Sequence, residues 1–251
     1  SKIRFLFADD RKEEVTAIQA AMERTSDRYS GYAFNISYFK DRFPQGYYRL
    51  IARALYDVEI DEHETLEETC GAVLFNCSTL YACWEAICDN MPLVARVVTV
   101  TGDDGVGNNV IAPIGTPVSE LMNTINGTLK TQNTVIWGNC FTGLEIKDPD
   151  NTPIIKTTSG ITVLKSREVT TVPCVHCGDC TIACPMDLEP GLLFSLLKKG
   201  RAERAGEEGA LKCISCGVCS YVCPSGLDLT GVIASYASSK RLYSTRTHFN
   251  V

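Results

Sequence analysis

Residues Pro173–Pro185 read PCVHCGDCTIACP, and Lys212–Pro224 read KCISCGVCSYVCP. Each stretch holds four cysteines as C-x2-C-x2-C-x3-C-P. That spacing folds three thiolates around one face of an iron–sulfur cube and sends the fourth cysteine, followed by proline, to a neighbouring cube. The reading assigns Cys174, Cys177, Cys180 and Cys223 to one [4Fe–4S] cluster and Cys213, Cys216, Cys219 and Cys184 to a second. A pair of zinc sites is the competing reading. Zinc motifs pair two C-x2-C units across a longer gap, which leaves the third cysteine and the terminal Cys-Pro unexplained. Gly178 and Gly217 are expected where the backbone passes close to sulfur, because glycine carries no Cβ. Pro185 and Pro224 fix φ and turn the chain away from the cluster.

The 28 residues between Cys184 and Cys213 hold EPGLLFSLLKKG, a helix with Pro190 near its start and Gly200 past its end, and a polar helix RAERAGEEGALK. After Cys223 a further helix is expected in DLTGVIASYASSKRL. Residues 167–240 therefore read as a helical two-cluster [4Fe–4S] ferredoxin-type domain, and 241–251 as a tail. Two clusters that share ligands across one module form a path for electrons and imply no open coordination position.

Working outward, residues 93–166 are β-rich. ARVVTVTG and NNVIAPIG are strands joined by the turn DDGVGNN. Thr116 is expected to cap a short helix with Pro117 at its first position, TPVSELMNTIN. NTVIWGN, PIIKTT and GITVL read as further strands, and the whole as a small β-grasp-like domain. Residues 1–92 alternate strand and helix signals. KIRFLF is a strand, and Val15, Ile18 and Met22 mark one face of the helix behind Asp9 and Asp10. YAFNISYF is a second strand, YYRLIARALY a helix and the acidic run EIDEHETLEE a solvated loop. GAVLFN is a third strand and STLYACWEAICDN a third helix, a rhythm that suggests an α/β layer with a parallel sheet.

The 251 residues suffice for two or three domains, and a hydrophobic content of 45% supports real cores. A formal charge of −6 argues against a nucleic-acid groove. No apolar run reaches membrane-spanning length, and GLLFSLL (191–197) is far too short to span. SKIRFLFADDRKEE carries no secretory signal, so a cytoplasmic setting is expected, at most peripheral to the membrane's cytoplasmic face. There, 13 cysteines favour metal or cluster ligation over disulfides. KIRFLF opens the chain as a strand, as in the later part of a longer polypeptide or a subunit beside a partner. Cys70, Cys77, Cys83, Cys88 and Cys140 have no ligand spacing and read as small buried hydrophobes. His176, inside the first motif, reads as a solvent-facing spacer in preference to a group that tunes a cluster through hydrogen bonding or charge, and His63 and His248 suggest no role.

PLVARVVTVTGD, IAPIGTPVSELM, TSGITVL, PCVHCGDCTIACPMDLEP and CISCGVCSYVCPSGLDL, in this order, resemble the C subunit of the Rnf ferredoxin:NAD electron-transport complex and its relatives, the cobalamin reductase and the proline-reductase-associated Rnf C-like proteins. YFKDRFPQGYYRLIARAL resembles that family's YPQG segment, and VLFNCSTLYACWEAI its Asn-x-x-Thr strand–helix turn. The resemblance implies α/β plus α architecture. Its parts are a flavin-domain-like α/β layer (1–92), a soluble-ligand-binding β-grasp (SLBB-like) domain (93–166) and the two-cluster domain. The family's amino-terminal barrel-sandwich region and glycine-rich flavin-phosphate loop are not in this sequence. Where the family has Gly-Glu-Lys after its Pro-Gln-Gly, this chain has Tyr47, Tyr48 and Arg49, and Ser78 replaces a glycine between Asn76 and Thr79. The family's GGPMMG is reduced to WGNCFTG.

Two functions follow from the resemblance. In the first, the chain is an electron-transfer subunit of a multi-subunit oxidoreductase. It relays electrons between a flavin/NADH or ferredoxin-type donor and a partner protein, its own flavin (FMN) and NADH sites being lost or supplied by a partner. In the second, it is itself an FMN-dependent NADH oxidoreductase, with flavin near Asn76, Thr79 and Gly46. A scaffold whose clusters only hold the fold is a third reading, since cluster binding is coupled to folding.

Overall fold

The computed structural model describes residues 2–25, 27–29, 31–61, 64–103, 107–125, 133–166 and 169–247, with side chains as far as Lys240. His63, His248, residues 104–106 of the DDGVGNN turn and residues 248–251 of the expected tail lie outside them. The chain divides into two compact units, Ser1–Ala72 and Val73–Val251.

The first unit is built on a βαβ crossover. β1 (Lys2–Ala8) pairs in parallel with β2 (Ala33–Phe39), Lys2 opposite Ala33 and Ala8 opposite Phe39, and α1 (Lys12–Thr25) joins them. Parallel neighbours need such a crossover because a tight turn cannot reverse the chain direction twice. Val15 is buried on the face of α1 that carries the half-buried Ile18 and Met22. α2 (Tyr48–Tyr56) follows, with Ile51, Ala52 and Arg49 buried. The acidic run expected as a loop folds in its second half into α3 (Leu66–Cys70). Thr65 and Glu68 explain this departure. They form a reciprocal capping box, in which Glu68 N–H donates to Thr65 Oγ1 and Thr65 N–H donates to Glu68 Oε2.

The expected third strand, GAVLFN, is not formed. Residues 72–76 have no ladder partner among the described residues, and Val73, Leu74 and Phe75 are all exposed. Strand preference is a preference for a pleated, half-buried neighbourhood, and this stretch has none.

The second unit opens with α4 (Cys77–Cys88) and continues into a five-stranded sheet. β3 (Ala95–Gly102) and β4 (Asn108–Pro113) form a hairpin, and α5 (Val118–Thr124) crosses one face. β5 (Asn133–Trp137), β6 (Leu144–Ile146) and β7 (Gly160–Lys165) complete the spatial order β4-β3-β7-β5-β6. β7 runs parallel to β3 and antiparallel to β5. Alternation along β3 buries Val98 and Val100, and these meet Val118, Leu121 and Met122 of α5 and Val135, Ile154 and Ile161 in one core.

Two local expectations change here. The α5 N-cap is Pro117, and Thr116 lies outside the helix because its carbonyl accepts from Ile154 N–H. PIIKTT is no strand either. It contributes one bridge, Pro117 to Pro153, and then the turn that closes on Thr158 N–H to Ile155 O. Proline at its head has no N–H to extend a ladder.

The remaining elements are α6 (Asp179–Ile182), α7 (Pro190–Lys198), α8 (Ala202–Glu207), a 3-10 turn (Ala210–Lys212), α9 (Val218–Tyr221) and α10 (Leu229–Thr247). α7 has Pro190 in its first turn and ends before Gly200 at positive φ, as its sequence requires. α10 runs on into the stretch expected to be a tail. Leu188, Leu193, Leu196, Ala205, Ala210 and Ile233 form a second core, against which Cys184 and Cys213 pack. No helix among the described residues is long and apolar enough to cross a membrane.

Candidate metal centre

The two cysteine loops share one backbone path. In each, the residue before the second cysteine has positive φ (His176 and Ser215, both 57°) and so has the glycine after it (Gly178, 84°; Gly217, 83°). Each glycine is the N-cap of a one-turn helix that carries the third cysteine, α6 for Cys180 and α9 for Cys219. The left-handed φ is the reason for Gly178, since a Cβ there would meet no protein atom within 4 Å beyond its chain neighbours. At Gly217 a Cβ would run into the carbonyl oxygen of Phe141, not into a sulfur. Gly191 lies against sulfur, where a Cβ would stand 3.5 Å from Cys180 Sγ.

The structure sorts the eight motif cysteines four and four. Cys174, Cys177, Cys180 and Cys223 line one cavity, together with Gly191 and Leu229. Cys184, Cys213, Cys216 and Cys219 line another, with Thr230 and Ile233. Each cavity thus takes three cysteines from one motif and its fourth from the other. The sulfurs surround a space and not a point. Among the described residues no three His, Cys, Asp or Glu side chains converge as they must around a single ion with Zn–S bonds of about 2.3 Å. Thiolates around a cube stand farther apart, so the donor sets suit the larger group.

The two sets differ in exposure. Cys174 and Cys177 are exposed, whereas Cys216 and Cys219 are each only 8% exposed. Burial pushes the Cys216 thiol up, partly countered by Val218 N–H, and the neighbouring Cys184 raises it further. Burial likewise pushes Cys219 up to about 11, against a lowering hydrogen bond from Thr230, with Cys213, Cys216 and Cys184 adding to the rise. Four thiolates in one enclosed space repel each other, so a positively charged core is what lets them ionise together. Ser215 N–H donates to Cys213 Sγ at 3.4 Å, and Thr230 Oγ1 stands 3.1 Å from Cys219 Sγ. Buried Ser225 donates to Pro173 O and accepts, through its own carbonyl, from Val172 N–H, which ties the end of the second loop to the start of the first.

His176 is exposed and lines the first cavity. Cys77, Cys83, Cys88 and Cys140 are exposed and Cys70 is half-buried, so these five are not the buried hydrophobes their spacing suggested. Three of the five sit on α4, which has no buried residue, and Cys140 sits in a surface loop.

Gly46 lies exposed in the first unit, in the turn that follows the cis Phe43–Pro44 bond. Asn76 and Thr79 lie in the second, in the first turn of α4. Asn76 is the N-cap, its carboxamide oxygen accepting from Ser78 N–H at 2.9 Å. Asn76→Ala is therefore expected to fray α4 at a cost of about 1 kcal/mol, visible as faster amide exchange in residues 78–81.

Residues 168–224 match a family model described as a 4Fe-4S dicluster domain. Fold and site together thus define an iron–sulfur protein of the electron-transfer class. Over a longer stretch, the C subunit of the ion-translocating oxidoreductase complex of Rhodobacter capsulatus is 32% identical across 190 residues, covering 74% of this chain and 36% of its own length. Its namesake from Buchnera aphidicola is 32% identical across 68% of this chain and 34% of its own length. The C subunit of the proton-translocating ferredoxin:NAD(+) oxidoreductase complex of Clostridium ljungdahlii is 29% identical across 80% and 43%. The chain belongs to the Rnf C-subunit-like family, and it spans roughly a third of the length of the relatives first matched.

Proposed function

We propose that this chain is an iron–sulfur relay within a multi-subunit oxidoreductase. It carries electrons through two [4Fe–4S] clusters between a flavin/NADH or ferredoxin-type donor and a partner protein. Cys174, Cys177, Cys180 and Cys223 hold one cluster, and Cys184, Cys213, Cys216 and Cys219 the other. The observation that carries this reading is the four-and-four division of the motif cysteines between two cavities. When bound, such clusters supply one-electron transfer without rearrangement of bonds. The chain's own part is to hold eight thiolates, to enclose the second set and to leave Cys174 and Cys177 at the surface, where a partner can approach.

The sheet supports the soluble-ligand-binding β-grasp reading of residues 93–166: a hairpin, a crossing helix, and a last strand returning parallel to the first at the centre. The βαβ crossover supports a flavin-domain-like reading of the first unit. Asn76 is engaged as a helix cap, which favours the version with FMN on a partner over an FMN-dependent NADH oxidoreductase complete in this chain.

The test is to purify the chain anaerobically and determine iron, acid-labile sulfide and extractable flavin on one sample. About eight irons per chain with matching sulfide and no flavin is the expected result. Zinc in place of iron would sink the proposal, and one FMN per chain would shift it to the oxidoreductase alternative.

A further inference from the structure

The two cysteine loops and the helices behind them are copies in register. α7 starts at Pro190 behind Cys184-Pro185, and α10 starts at Leu229 behind Cys223-Pro224. The second residue of each helix lies against the third cysteine of its own loop. In the first copy that residue is Gly191, whose Cβ position is 3.5 Å from Cys180 Sγ. In the second it is Thr230, whose hydroxyl is 3.1 Å from Cys219 Sγ. One place in a duplicated fold thus carries a hydroxyl on one side and no side chain on the other.

The local hydrogen bonds decide which way the hydroxyl points. Thr230 N–H donates to Ser220 Oγ at 2.8 Å, and Ser220 Oγ–H donates to Thr230 Oγ1 at 3.0 Å. Thr230 Oγ1 is already an acceptor, so its own proton is left for Cys219. A metal-bound thiolate can only accept. We infer that Thr230 is a positioning residue that raises the reduction potential at the second cavity, through a hydrogen bond to Cys219 that the first cavity lacks at Gly191. The inference rests on the two-cluster reading above.

The physical need is visible in the burial. Reduction adds one electron and breaks no bond, so the reduced state is the more negative one. Low-dielectric surroundings disfavour it, and the second set is the enclosed one. A donor aimed at sulfur offsets that penalty, as hydrogen bonds to cluster sulfurs do. The enclosed cluster then stays within reach of an electron arriving from the exposed one.

The test is a dithionite-poised redox titration of the loaded full chain, followed by EPR, with iron and sulfide measured on the same samples. In Thr230→Val, close in shape but without a donor, one couple is expected to fall and the other to stay. The expected fall makes the reduced-to-oxidised ratio about tenfold smaller at fixed ambient potential, about 59 mV for a one-electron couple. Thr230→Ser retains the donor and should stay near the parent value. Gly191→Ser places a hydroxyl beside Cys180 and should raise the other couple. Full iron in Thr230→Val with neither couple moved, or both moved together, overturns the inference. Should Thr230→Val fail to load, Gly191→Ser decides, an unchanged couple counting against it. A parent protein without two separable one-electron couples defeats the two-cluster reading itself, a distinct failure.

Discussion

Cys184→Ala is expected to empty the cavity lined by Cys213, Cys216 and Cys219 and to leave the cluster of its own motif in place. Iron should fall to about half, since each [4Fe–4S] cluster holds the same number of irons. Far-UV circular dichroism on the same sample reports whether the helices persist. They are placed at risk because Cys184 packs against the core of Leu188, Leu193 and Ile233, and filling the cavity is coupled to folding. Double variants make the crossing of ligands decisive. Cys184→Ala with Cys213→Ala removes two ligands of one cluster and should lose no more iron than either change alone. Cys184→Ala with Cys174→Ala touches both cavities and should lose nearly all of it. The opposite pattern would mean that each motif closes its own cluster.

The grouping of the cysteines around two cavities was legible in the sequence because C-x2-C-x2-C-x3-C-P is a geometric statement. Three cysteines spaced this closely can reach one face of a cube, and the proline after the fourth turns it away. Strands that bury one face were also legible. Val98 and Val100 alternate with exposed neighbours in β3, and β4, β5 and β7 fall where their patterns placed them. The two missing strands share one cause, which is that pairing depends on what lies beside a segment. GAVLFN has strand composition but no neighbouring strand among the described residues, and PIIKTT begins with a residue that cannot donate to one. The acidic run is a separate case: its charge speaks for a solvated loop, and the T-x-x-E box at Thr65 and Glu68 starts a helix there all the same.

Around the cysteines, the residues that make the two cavities unequal were not legible. Gly191 and Thr230 occupy matching places, but their meaning depends on which atom each lies against. The same holds for WGNCFTG, the reduced form of the family's GGPMMG, which packs against the second cysteine loop. Phe141 stacks edge-on against Tyr221, ring centroids 5.0 Å apart, and its carbonyl lies over Gly217.

Gly217→Ala should accordingly be far more damaging than Gly178→Ala, although the two glycines hold the same place in the motif and nearly the same φ. Both changes force a Cβ into left-handed backbone, at about 1–2 kcal/mol. At Gly178 the Cβ meets no protein atom within 4 Å beyond its chain neighbours, so no backbone collision adds to that cost. At Gly217 the Cβ meets a backbone carbonyl that has little freedom to retreat. Asn139 Oδ1 accepts from both Phe141 N–H and Thr142 N–H, and Gly143 N–H returns to Asn139 O, so the turn is clamped at both ends. Overpacking against such a wall adds about 1–3 kcal/mol. Denaturant midpoints of the loaded variants should therefore rank parent, Gly178→Ala and Gly217→Ala in falling order. Asn139→Ala loosens the clamp, so its combination with Gly217→Ala should cost less than the two changes summed, as expected of residues coupled through a shared contact. Equal losses at the two glycines would show that φ alone governs both sites and that the Phe141 turn yields.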